Sequence, residues 1–325
     1  MSRAGAGPAA ALVACVLLAA CGSGSTDATS AVAPAPAAKR VSVSVTQTGA
    51  LPAPVQDAAA AAIGSEAFLL MGGIDQGEAS VADLLRATAS GATRIGSLST
   101  ALHDASASSL SGAAYLFGGG VVESFSAITR VSPATGAAES AGHLPTPASD
   151  IASVAVGDTV YIVGGYTGQA PLRTILAWRP GESARVVAEL PKPLRYAAVA
   201  AVNGQVLIAG GTSGEAASRD VYRFEPATRA LTRVGLLSEP LTHAAAASVG
   251  GAMYVFGGRS ASATGQTRRI LAISAGGGVR EAGLLPHALS DMAAVALGGK
   301  VVLAGGRDSA GATQDGILTV SIGAE

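Results

Sequence analysis

Residues 190–211 read LPKPLRYAAVAAVNGQVLIAGG, and five other stretches of the chain follow the same plan. Each ends in a Gly-Gly pair: Gly72-Gly73, Gly118-Gly119, Gly164-Gly165, Gly210-Gly211, Gly257-Gly258 and Gly305-Gly306. The pairs are 46, 46, 46, 47 and 48 residues apart. Twenty or 21 residues ahead of each stands a leucine: Leu51, Leu98, Leu144, Leu190, Leu237 and Leu285. Two ladders in phase mark one supersecondary unit repeated six times.

Between leucine and Gly pair lies a run of small residues: AAAAAI at 58–63, ASASSL at 105–110, IASVAV at 151–156, AAVAAV at 197–202, AAAASV at 244–249 and MAAVAL at 292–297. Helix propensity alone would make Ala58 to Ala62 helical. The equivalent runs carry Val and Ile at strand spacing, so the repeat argues for a strand. A two-residue turn follows: Gly64-Ser65, Ser111-Gly112, Gly157-Asp158, Asn203-Gly204, Gly250-Gly251 or Gly298-Gly299. Such residues supply the positive φ of tight hairpins. A second apolar strand, such as Tyr161-Ile162-Val163, ends at the Gly pair. A polar loop leads to a third strand (Asp220 to Phe224 in the fourth repeat), a turn such as Pro226-Ala227-Thr228, and a fourth strand back to the leucine.

Four antiparallel strands per unit and six units predict an all-β, six-bladed β-propeller over 41–325. Small first-strand residues suit the crowded central axis. The last Gly pair is followed by a single strand, near 316–322, which leaves the sixth blade one strand short. Val41-Ser42-Val43-Ser44-Val45 has the period-2 alternation of a strand. A strand over about 41–48 should complete that blade and remove its open edge.

The Gly pairs, Tyr115, Tyr161 and Tyr254 three places before them, and the turns Ser132-Pro133-Ala134-Thr135-Gly136 and Glu225-Pro226-Ala227-Thr228 resemble the kelch-repeat family over about 41–325. The chain departs from that pattern in having Leu231 where the fourth strand usually has Trp. The resemblance implies a galactose-oxidase-like fold. Oxidases of this architecture build a radical site from copper and a Tyr–Cys crosslink, which this chain has no spare cysteine to form.

The N-terminus reads as an address. Arg3 precedes an apolar run from Ala9 to Ala20, too short to span a bilayer. Leu18-Ala19-Ala20-Cys21 resembles the lipobox of bacterial lipoproteins, which implies cleavage before Cys21 and a diacylglyceryl thioether on it. The expected division is a signal peptide over 1–20, a lipidated Cys21 with an Ala/Pro/Ser/Gly tether over 21–40, and the propeller over 41–325. The other cysteine, Cys15, lies in the removed segment, so the mature chain has no thiol for a disulfide or metal site. Two acyl chains anchor stably, which places the protein outside the cytoplasm, on the cell surface or in the periplasm, held to the membrane by lipid alone.

Lys+Arg is 21 against Asp+Glu 22, a net charge of −1, and charged residues make up only 13% of 325. No polyanion footprint is present, so nucleic acid is not an expected partner. No hydrolase elbow, zinc-protease motif or phosphate-cradling loop occurs. His103, His143, His243 and His287 occupy four different places in the repeat, and no metal or cofactor is expected.

Six residues after each ladder leucine stand Asp57, Asp104, Asp150, Tyr196, His243 and Asp291. In a propeller these would ring one mouth of the channel, either capping their loops or forming a polar funnel for a cation or hydroxylated ligand. Loops after the Gly pairs should share that face. They carry Arg259, Arg268, Arg269 and Arg307, with Arg195 nearby, and arginine's planar fork suits an anionic group. Trp178 should pack between blades. The leading expectation is a monomeric binding or scaffold module that recognises a protein, an envelope glycan or a small anionic ligand through this face. The alternative is a mutarotase-like enzyme acting on sugars or acid sugars. Intact mass of the membrane-extracted protein should begin at Cys21 and exceed the peptide mass by acyl chains. A soluble mature form beginning elsewhere would refute the lipobox.

Overall fold

The alanine-rich runs are strands in the computed structural model, which describes residues 41–214, 216–260 and 265–324. The leader, Cys21 and tether expected over 1–40 lie outside the described residues. The first strands are Ala59–Ile63, Ser106–Leu110, Ala152–Val156, Ala198–Val202, Ala245–Val249 and Ala293–Leu297. Their neighbours override helix propensity. Each pairs antiparallel with an apolar second strand such as Ala67–Met71, Ala113–Phe117 or Thr159–Val163, every residue of which is buried. Third and fourth strands follow, as Thr174–Trp178 and Arg185–Glu189 do in the third blade. The result is six four-stranded antiparallel blades, numbered here by Gly pair.

Five hairpins between first and second strands have the expected two-residue turns, with positive φ at Asn203 and Gly204, for example. Blade 1 differs: Ile63 pairs with Ala67, so Gly64, Ser65 and Glu66 make a three-residue loop.

The Gly pairs are contacts between blades. A Cβ on Gly164 would lie 2.0 Å from the Leu194 carbonyl oxygen, and one on Gly118 would lie 2.1 Å from that of Ala148. The second glycine of each pair donates its N–H to that same carbonyl: Gly165 to Leu194 at 2.8 Å, Gly119 to Ala148 at 2.9 Å, and Gly306 to Val55 at 2.9 Å. Any side chain at the first position would push neighbouring blades apart, which is why only glycine fits. The ladder leucines are buried, and their N–H groups tie the end of one blade to the carbonyl ahead of its own third strand, as in Leu190 to Arg173 at 2.7 Å.

The core lies between blades. Buried apolar side chains form six clusters, each drawn from two adjacent blades. Trp178 is 1% exposed and meets Tyr115 and Phe117 of blade 2 edge-on at 4.9 and 5.3 Å, the inter-blade role expected of it.

Closure is by the N-terminal strand. Val41–Ala50 pairs antiparallel with Gly316–Ala324 as the outermost strand of blade 6, two residues longer than the sequence suggested. Val43 and Val45 pack on the cluster between blades 5 and 6. Deleting residues 41–48 should unpair the edge of Gly316–Ala324 and lower Tm by about 10 °C or more, at roughly 2–4 °C per kcal/mol for a domain of this size. A deletion variant melting within a degree or two of the parent would refute the closure.

Candidate functional site: the collar at the channel mouth

The six residues that follow the ladder leucines by six form a closed backbone ring. The N–H of Asp104 donates to the carbonyl of Asp57 (3.2 Å), Asp150 to Asp104 (2.8 Å), Tyr196 to Asp150 (3.1 Å), His243 to Tyr196 (3.3 Å), Asp291 to His243 (3.0 Å) and Asp57 to Asp291 (3.0 Å). All six have φ between 54° and 60°, a left-handed conformation that aspartate tolerates better than most residues. The ring surrounds a mouth of about 130 Å³. Behind it runs a channel of about 330 Å³ lined by first-strand residues of all six blades, mostly Ala, Ser and Val.

A second tier stands outside the ring. The residue before each ring member pairs with the residue after each Gly pair: Gln56 with Ile74, His103 with Gly120, Ser149 with Tyr166, Arg195 with Thr212, Thr242 with Arg259, and Ser290 with Arg307. The loops that follow the Gly pairs therefore do open on the ring's face.

Two chains of side chains converge on the mouth. In one, Arg195 NH2 lies 2.5 Å from Asp150 Oδ2 and donates to the Tyr196 hydroxyl at 3.0 Å, and that hydroxyl donates to Asp104 Oδ2 at 3.3 Å. The Arg195 guanidinium also lies over the rings of Tyr166 and Tyr196, 4.2 and 4.7 Å from their centroids. In the other, Arg259 NH2 lies 2.6 Å from Asp291 Oδ2, which also accepts from the Ser290 hydroxyl at 2.5 Å. Tyr196 and His243 stack at 3.7 Å.

Each chain contains one carboxyl without a cation. Burial, then the charge of Asp150, pushes the Asp104 carboxyl up to about 8, and it hydrogen bonds Asp150. Burial, then the charges of Asp291 and Asp104, raises Asp57 well above the usual carboxylate range, and it hydrogen bonds Asp291. Oδ1 of Asp291 is buried, and no N–H or hydroxyl among the described residues reaches it. Two carboxyls that cannot both ionise cheaply share a proton in this way. Burial also pulls His243 down to about 4 and His103 below its usual value, so both imidazoles are neutral near pH 7. Burial raises the Tyr196 phenol well above its ordinary value.

Beside the mouth, and sharing Asp104, Asp150 and Tyr196 with it, is a cavity of about 230 Å³ flanked by His103, Glu123, Tyr166 and Arg195. His103 Nε2 stands 3.7 Å from Asp104 Oδ2, and its Nδ1 is 2.8 Å from the Ser80 hydroxyl. His103 and Tyr166 gain their place through the second tier, whose signal was their position beside the ring residue and the Gly pair.

Of the arginines expected on this face, Arg195 and Arg259 join the ring, and Arg307 stands in the second tier with no side-chain partner among the described residues. Arg268 and Arg269 are not brought to the mouth. Arg268 Nε donates to the Leu285 carbonyl at 2.8 Å, and Arg269 pairs with Glu239 at 2.8 Å and Glu281 at 3.5 Å. Among the described residues, no group of three or more His, Cys, Asp or Glu is arranged to hold a metal ion.

The family profile described as Kelch motif matches residues 147–183 and 193–230, within blades 3 and 4. Together with the six-bladed ring, these matches support a kelch-repeat β-propeller. No curated protein matches the chain in sequence. A solved structure titled "Structure of YjhT" is similar in fold, with a TM-score of 0.73 over 84% of this chain and 99% of that one, at 12% identity.

The proton on Asp104 gives the collar a pH signature. An exposed Asp releases its proton near 3.8, whereas folded Asp104 keeps it to about 8. The folded chain holds the extra proton between those values, so stability falls as pH rises through that window and levels off above it. Asp104→Asn keeps a donor toward Asp150 and an acceptor for Tyr196 without an ionisable group. Its Tm should exceed the parent's by several degrees at pH 9 and by little at pH 4. An increment equal at both pH values would show that Asp104 does not carry the proton.

Proposed function

We propose that the protein is a lipid-anchored, extracytoplasmic binding module that takes a small hydroxylated solute, of the sugar or sugar-acid class, at the collar. A kelch-type propeller suits a binding or scaffold role in general. The observation that carries the narrower reading is the mixture of groups on the wall of an open mouth. A hydroxyl both donates and accepts, and neutral carboxyls, carboxylates, a phenol and the neutral His243 imidazole meet it in both senses. Arg195 lines the cavity beside the mouth, and Arg307 has no side-chain partner among the described residues. Those guanidinium groups suit an acid group on the solute. The two- and three-residue hairpins at the other end of the channel offer a partner little.

A second reading, proton-transfer catalysis on the bound solute, is favoured by the 3.7 Å approach of His103 to Asp104. Protonated Asp104 would donate to a sugar ring oxygen while neutral His103 accepts the anomeric hydroxyl proton. The ring C–O bond breaks as the carbonyl forms, and reclosure returns both protons. This is the balance of anomer interconversion.

Calorimetric titration with hexoses and hexuronic acids tests the binding reading. Asp104→Asn with Asp150→Asn should weaken any saturable ligand by about tenfold or more, chiefly through the lost hydrogen bond to the Asp150 carboxylate, and Asn203→Asp in a hairpin should leave affinity unchanged. Loss of binding on the hairpin change with no effect of the collar pair would move the site to the other face. Polarimetry on a pure anomer then separates the two readings. An acceleration lost in Asp104→Asn supports catalysis; unaltered rates with intact binding leave a binding protein.

A further inference from the structure

Two imidazoles stand at the collar, and a hydroxyl meets Nδ1 of each: Ser80 at His103 and Thr242 at His243, both at 2.8 Å. A neutral imidazole carries one proton, and the bond made at one nitrogen decides which nitrogen holds it. Thr242 is 8% exposed, and its hydroxyl has no partner among the described residues other than His243 Nδ1. With the proton on Nδ1, the imidazole would donate to the threonine oxygen, and the hydroxyl proton of a buried side chain would lack an acceptor. With the hydroxyl donating to Nδ1, that group is satisfied and the imidazole proton lies on Nε2. Ser290, the second-tier residue of blade 6, behaves in the same way, since its hydroxyl donates onto its own ring neighbour Asp291. Ser80 is only half-buried, so water can take its proton, and His103 is not fixed in this manner.

The other nitrogen of His243 has a different setting. Nε2 has no hydrogen-bond partner among the described residues and is not sealed from solvent, and the imidazole lines the mouth. The stack on Tyr196, with ring planes 26° apart, and the Thr242 bond hold its orientation. Burial keeps the imidazole neutral near pH 7, with Asp291 opposing that effect and Arg259 and Arg195 adding to it. The other protons on the ring side chains are already committed. The Tyr196 hydroxyl donates to Asp104, the Asp104 carboxyl hydrogen bonds Asp150, and the Asp57 carboxyl hydrogen bonds Asp291. Nε2–H of His243 is therefore the donor that the ring's side chains leave for a solute.

We propose that His243 is a fixed N–H donor into the mouth and that Thr242 is the positioning residue that sets its tautomer. A solute at the collar then has to place an accepting oxygen, such as a sugar ring oxygen or a carbonyl, at His243, while its own hydroxyl protons turn to the carboxyl oxygens of the ring. That requirement on the solute rests on the binding reading of the collar; the tautomer does not.

NMR of the ligand-free protein, labelled with nitrogen-15 at histidine, tests the tautomer at pH 7, the His243 signals being assigned by their loss in His243→Phe. Nε2 should be the protonated nitrogen and Nδ1 the bare one. Thr242→Val keeps the shape of the side chain without its donor and should move the proton to a mixture of both nitrogens. Thr242→Ser should restore the parent pattern, which a merely structural role for Thr242 would not require. Titration with hexoses and hexuronic acids should shift the Nε2–H signal at saturation. His243→Phe, with a ring still able to stack on Tyr196, should weaken that solute by about fivefold, the usual worth of a neutral hydrogen bond. A parent proton on Nδ1, or a tautomer unaltered in Thr242→Val, would overturn the proposal whatever sugar binds. An Nε2–H signal unmoved at saturation would overturn the solute contact. Absence of any saturable sugar would overturn the binding reading and the solute contact together, while the tautomer result would stand.

Discussion

The channel mouth depends on six backbone hydrogen bonds that run from blade to blade and close on themselves. Each joins a residue with φ near +55° to the equivalent residue of the preceding blade. A buried N–H must find an acceptor, and in the collar that acceptor is the preceding blade's carbonyl. Meeting it requires the left-handed conformation, at about 1–2 kcal/mol for a residue other than glycine. Aspartate carries that conformation well, which gives a local reason for four of the six residues. Tyr196 and His243 hold it with bulkier rings, stacked on each other at 3.7 Å.

Four carboxyls forced onto one ring create an electrostatic problem, and the collar answers it twice in the same way. Across blades 2, 3 and 4 the order is Asp104, Asp150, Arg195; across blades 1, 6 and 5 it is Asp57, Asp291, Arg259. Each arginine neutralises one carboxylate, and each remaining carboxyl keeps its proton and hydrogen bonds its neighbour. Arginine suits the task because its charge survives burial that would neutralise a lysine or a histidine. His243 shows the contrast, since the same surroundings hold it neutral. The mouth is therefore nearly balanced in charge yet dense in donors and acceptors, a setting for hydroxyl groups more than for a bare cation.

The architecture was legible because the constraint behind it repeats. Gly72 to Gly306 recur at blade spacing since every blade must admit a neighbour's carbonyl within about 2 Å of where a Cβ would sit. The alternation at Val41–Val45 announced the closing strand for the same reason. Ring membership was legible too, as a register six residues past each leucine. The pairing within the ring was not, because Asp57 meets Asp291 and Asp104 meets Asp150 only across blade interfaces. Arg268 shows what a face-level reading misses. With Arg173 and Arg219 it stands 17 or 18 residues before a ladder leucine, a third ladder present in half the blades, and its partner is that leucine's carbonyl. Blade 1's three-residue hairpin carries no signal at Gly64-Ser65 that separates it from Gly157-Asp158.

The closing strand also sets at which end of blade 6 Val41 and Ala324 stand. Val41–Ala50 runs toward Leu51 and thence into Asp57 on the collar, so Val41 starts at the opposite end of blade 6, where the short hairpins lie. Its partner strand starts at Gly316, beside the Asp315 carbonyl that accepts from Leu51, and ends at Ala324 opposite Val41. Both ends of the propeller chain thus lie at the hairpin end. The Val41–Ala50 strand also closes the ring, and its antiparallel backbone pairs with Gly316–Ala324 remove the edge that blade 6 would otherwise expose.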